Sequence, residues 1–126
     1  MASFGIRKVT RSSYDDVLQK LPDLLKAEGF GILTQIDVQE TLKQKLGVDF
    51  RRYKILGACN PPLAHRAFQA ELEIGVMLPC NVIVYEGDDG KAVVTAIDPM
   101  QTVAAAHPKL GEVAAEVRQR LSRVLE

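Results

Sequence analysis

Cysteine is scarce in this chain: two in 126 residues, Cys59 and Cys80, are too few for a disulfide framework. An excess of either charge is also missing. Sixteen Lys and Arg balance sixteen Asp and Glu, so no long-range positive field draws the chain toward nucleic acid, and no nucleic-acid partner is expected. Two short basic clusters, one of Arg7, Lys8 and Arg11 and one of Arg118, Arg120 and Arg123, read as solvated faces of surface elements. No apolar run approaches the roughly 18–20 residues that a membrane span needs, so no membrane partner is expected. The opening MASFGIRKVTRSSYDD reaches its first charge at Arg7 and has no signal-peptide apolar stretch. A cytoplasmic location is therefore expected, with thiols reduced.

What is present suits one globular unit. The chain is 47% hydrophobic and 25% charged, enough for a core without covalent staples, and residues 1–126 are expected to form a single domain. FGIRKVT alternates as a first strand. A helix follows, capped by Ser12 or Ser13, with a kink expected at Pro22 and a stop at Gly29. FGILTQID reads as a second strand. Asp37 and Glu40 then make a capping-box pattern on a short helix that Gly47 ends.

RRYKILGACN reads as a third strand. Tyr53, Ile55, Gly57 and Cys59 share one face, and Lys54, Leu56, Ala58 and Asn60 the other. Asn60-Pro61 is helix-start chemistry: Asn is a strong cap, and Pro suits the first helical position. That helix is expected to reach Leu72 with a stripe of Ala64, Ala67, Phe68 and Leu72. LPCNVIVYEGDDGKAVVTAID is a hairpin about Gly87-Asp88-Asp89-Gly90. Both of its strands are apolar on both faces, so one face needs helices and the other a partner subunit, a ligand or another segment. A last helix is expected from Pro108, with Leu110, Val113, Ala114, Val117, Leu121 and Val124 on one side. The order is about β-α-β-(α)-β-α-β-β-α, which favours α+β over a doubly wound parallel sheet.

KLGVDFRRYKILGACNPPLAHRAF and LPCNVIVYE together resemble the domain-of-unknown-function 302 family of small bacterial proteins. The resemblance is most specific over residues 45–86 and spans nearly the whole chain. It implies a TATA-box-binding-protein-like α+β fold, a curved and mainly antiparallel sheet backed by helices, often paired into dimers. DNA binding does not come with such a fold, and the family brings no established activity.

The residues leave several chemistries open. Cys59, Cys80 and His65, with His107, would exhaust the Cys and His of the chain, yet no two of them have the close spacing of zinc ligands, and no metal site is expected. Cys59 precedes a helix start, where a thiolate is favoured, and His65 lies one turn on. No acid to orient His65 and no oxyanion loop is visible, so no catalytic residue is assigned and enzymatic activity stays undecided. Both cysteines also fit as small buried hydrophobes. Asp88 and Asp89 are too few oxygens for calcium. The N–H groups of Leu63 and Ala64 offer an anion site at the helix start. Three readings stand: a homodimeric binding module whose small polar-lined pocket takes a small-molecule ligand on Cys59, Asn60, His65, Cys80 and Asn81; a thiol-dependent redox or catalytic protein; and a purely dimeric interaction protein. No cofactor is named by any residue pattern.

Overall fold

The computed structural model describes residues 4–126, apart from the side chain of Val103. Its first strand, β1 (Gly5–Ser13), ends on the residue that caps the first helix. Ser13 Oγ accepts a hydrogen bond from the Asp16 amide at 3.1 Å, and Asp15 and Asp16 occupy the first turn of α1 (Tyr14–Ala27), where acidic side chains meet the positive end of the helix. α1 runs through Pro22 as one helix. The missing backbone bond there is offset by the buried stripe of Tyr14, Leu21 and Leu25. Gly29 turns the chain out with a φ of 87°, into β2 (Gly31–Asp37).

Asp37 caps α2 (Val38–Leu46) through the Glu40 amide at 3.0 Å, and Gly47 closes it in the left-handed conformation, as the capping-box pattern predicts. α2 buries none of its residues. β3 (Tyr53–Cys59) leads through Asn60 into α3 (Pro61–Ala70). The helix stops two residues before the expected Leu72. Glu71 becomes extended and caps a 3₁₀ segment, Leu72–Met77, through the Glu73 amide at 3.1 Å. The expected stripe is also displaced: Leu63 and Ala67 are buried, whereas Phe68 is 38% and Leu72 80% exposed.

β4 (Cys80–Glu86) and β5 (Lys91–Ile97) form the expected hairpin, with Gly90 at a φ of 81° in its turn. α4 (Gly111–Val124) starts three residues after Pro108. The intervening residues instead turn on His107, whose carbonyl receives the Leu110 amide and whose Nδ1 receives that of Lys109. The predicted stripe from Leu110 to Val124 is buried throughout.

The strands form one open sheet in the order β1-β5-β4-β3-β2, every neighbouring pair antiparallel. The fold is α+β, as the element order predicts. Leu56, Ala58, Val82, Val84, Val94 and Ala96 are each at most 2% exposed on the face that packs with α1, α3 and α4 into one core. Fully burying a side chain such as Leu25 or Leu121 contributes about 1.5–3 kcal/mol. The other face is apolar too. Ladder pairing sets Thr95, Ile83, Ile55 and Ile36 in one row and Val9, Val93, Tyr85 and Tyr53 in the next. None of these joins the helix-packed core.

Candidate functional site

The two cysteines lie where β3 ends and β4 begins. The ladder pairs Ala58 with Cys80, so Cys59 sits one residue out of step with Cys80 on the neighbouring strand. Both are unbonded, half-buried thiols lining one groove of about 320 Å³. Leu63, Ala67 and Phe68 of α3 form one wall of that groove, and Val113 and Val117 of α4 contribute to another. The α3 side chains face inward because they fall one helical turn apart.

Asn60 is the only amide side chain in the lining, and it is occupied. Its Oδ1 accepts from the Leu63 amide at 3.4 Å, the cap that its position before Pro61 predicts, and its Nδ2 donates to the Glu28 carbonyl at 3.3 Å. Arg120 Nη1 donates to the same carbonyl at 3.0 Å, and Arg123 Nε meets Glu28 Oε1 at 2.8 Å. Asn60 thus joins the end of α1 to the start of α3, with α4 bracing the junction. A side chain at Gly29 would place its Cβ 2.9 Å from Asn60 Nδ2. The anion site expected at the start of α3 is corrected by the same geometry: the Leu63 amide is spent on Asn60 Oδ1 and the Ala64 amide on the Asn60 carbonyl at 2.8 Å.

Burial pushes the Cys80 thiol up to about 11, and the neighbouring Cys59 adds to the rise. An apolar groove disfavours a thiolate, so Cys80 keeps its proton at neutral pH. Two residues of the expected set stand apart from the groove. His65 is exposed on α3 and does not line it. It lies two positions from both Leu63 and Ala67, which turns it away from the face they bury. Asn81 is exposed and lies opposite Gly57 in the ladder, one residue from Cys80 and hence on the other face of the sheet. His107 sits near Glu71 at 3.6 Å, in a different cavity. Among the described residues no group of three or more His, Cys, Asp or Glu is placed to hold a metal ion.

Sequence reasoning missed the α4 wall and the Glu28 junction. It also missed Asp98, which is 5% exposed and takes Arg118 Nε at 3.0 Å and the Met100 amide at 2.9 Å. An Asp just after a strand carries a capping signal, and that part was readable. The arginine partner, on a distant helix, was not.

A model of the domain of unknown function DUF302 matches residues 6–126. The chain belongs to the DUF302 family. A solved structure agrees: the crystal structure of an uncharacterized conserved DUF302 protein from Bacillus stearothermophilus is 34% identical, with a TM-score of 0.88 over 98% of this chain and 97% of that one. No curated protein matches the chain. Family membership fixes the fold and leaves the groove without an assigned role. Among the described residues no helix is long and apolar enough to cross a membrane.

Proposed function

We propose that the chain is a binding module for a small, largely apolar ligand held in the groove between α3 and the adjoining ends of β3 and β4, and that it works as a homodimer. The groove's lining carries the reading. A volume of about 320 Å³ lies at the lower end of the range for small-molecule sites. Its walls are aliphatic and aromatic, its one amide is engaged, and it has no charged side chain to hold an ion. Two polarizable sulfurs, Cys59 and Cys80, add weak hydrogen-bonding capacity. The proposed binding set is therefore Cys59, Asn60 and Cys80, with Leu63 and Phe68 supplying apolar contact. His65 and Asn81 fall outside it.

Titration with N-phenyl-1-naphthylamine, a neutral apolar fluorophore, tests the reading. The native protein should give a saturable rise in emission. Ala64→Arg, on the half-buried groove side of α3, should weaken it at least tenfold. Native and variant curves that coincide would remove the groove from consideration.

The homodimer rests on the apolar rows of the sheet that lie outside the helix-packed core. If the groove binds nothing, that face favours the second reading, a purely dimeric interaction protein. The thiol-dependent reading is disfavoured by the proton that Cys80 retains.

A further inference from the structure

A second cavity, behind the edge of the sheet, shares no lining residue with the thiol groove. β1 leaves regular pairing with β5 between Val9 and Ser13. Thr10 holds the strand there: its hydroxyl donates to the Ala92 carbonyl at 2.7 Å and accepts from the Ser12 amide at 3.2 Å. An irregularity of this kind bends an edge strand and re-aims its side chains. Between this edge, α1 and the end of α4 is a space of about 400 Å³.

Its floor is hydrocarbon. Leu21, Val94, Val124 and Leu125 are buried there, and Leu24, 48% exposed, continues the apolar surface outward. Its rim is cationic. Lys8, Arg11 and Lys20 line it, all exposed, against one acidic lining residue, Glu126. Among the described residues none of these three cations takes part in an ion pair. Most other arginines of the chain do, including Arg51, Arg52, Arg66, Arg118, Arg120 and Arg123. The thiol groove, by contrast, has no charged lining residue.

An apolar floor under an unpaired positive rim is complementary to a molecule with one hydrocarbon tail and one anionic head. We propose that this cavity binds a single-chain amphipathic anion, a medium-chain fatty carboxylate. Its tail lies on Leu21, Leu24 and Val124, and its head meets Lys8, Arg11 and Lys20. The long cationic side chains reach the head while it stays hydrated at the rim, which keeps desolvation small. Glu126 makes a monoanion a better fit than a phosphate dianion, because its repulsion grows with the charge of the head.

Calorimetric titration of the full chain with decanoate, octanoate, decyl phosphate and decanol, all below micelle formation, tests the proposal. Decanoate should bind about sixteenfold tighter than octanoate, about fourfold for each buried methylene. Decanol and decyl phosphate should bind more weakly than decanoate, and added salt should weaken decanoate but not decanol. The variant Lys8→Gln/Arg11→Gln/Lys20→Gln changes only exposed side chains and should lose decanoate at least tenfold with its melting temperature preserved. The control Lys45→Gln/Lys109→Gln, away from the cavity, should bind decanoate as the native chain does. Decanol matching decanoate, or the triple variant binding normally, would overturn the proposal. Decyl phosphate binding tighter than decanoate would overturn the choice of head group.

Discussion

Asn60 shows how far a single residue can be read locally. Its cap on α3 was legible because donor and acceptor lie three residues apart, next to a proline that marks the helix start. Its bond to the Glu28 carbonyl spans 32 residues and depends on how α1 packs, which no local pattern encodes. Losing a cap costs about 1 kcal/mol, and a second, partly buried hydrogen bond about as much again. Asn60→Ala should therefore destabilise the chain by about 2 kcal/mol in urea unfolding; a loss of only about 1 kcal/mol would show that the Glu28 bond contributes nothing, and one well under that would remove the cap as well. Cys80 gives a second residue-scale prediction. The folded chain holds its proton up to about 11, against 9.0 for the free thiol. The unfolded chain thus releases that proton first, and stability falls as pH climbs from 9 toward 11. Burial raises Tyr14 and Tyr53 as well, so the informative measurement is a difference. Cys80→Ala should have a shallower alkaline loss of stability than the native chain, and identical slopes would contradict a raised Cys80. His65 and Asn81 were legible in hindsight from periodicity alone, since each falls off the buried face of its own element.

The elements were largely legible where their ends carry chemistry. Ser13, Asp37 and Asn60 start helices, Gly47 ends one, and the Gly-Asp-Asp-Gly turn closes the hairpin. The misses fall where tertiary packing decides. α3 follows Leu63 and Ala67 because the core lies on that side, and the Pro108 region turns on His107 before α4 begins. Sheet order was not legible either, because β1 lies beside β5, the strand farthest from it in sequence. Burial separates the two elements with the clearest sequence patterns. Leu121 of α4 is fully buried, whereas Leu46 of α2 is 69% exposed. Leu121→Ala should cost about 2–5 kcal/mol and Leu46→Ala no more than about 0.5 kcal/mol, both read from denaturant midpoints. Comparable losses at the two sites would mean that α2 is packed far more tightly than its exposure allows.

At the scale of the molecule, the doubly apolar hairpin was the most informative signal in the sequence. One face of the resulting sheet carries the core, and the other sets rows of Ile, Val and Tyr outside it. If that face pairs with a second copy, light scattering at micromolar concentration should give twice the 13.9 kDa chain mass, and Ile83→Lys should return it to the monomer without unfolding it. A native protein that scatters as a monomer would set the dimer aside. The groove was legible only in part: the two Cys-Asn pairs mark the strand ends that line it, but the apolar walls from α3 and α4 converge through packing that spacing does not report. The most direct measurement is therefore of the groove itself, by amide chemical-shift mapping of the labelled chain during titration with N-phenyl-1-naphthylamine. Saturable shifts should cluster at Cys59, Leu63–Phe68 and Cys80 and leave the sheet rows of Ile83 and Tyr85 unmoved. Shifts confined to those rows, or no saturable shift at all, would contradict a ligand-binding groove at the two cysteines.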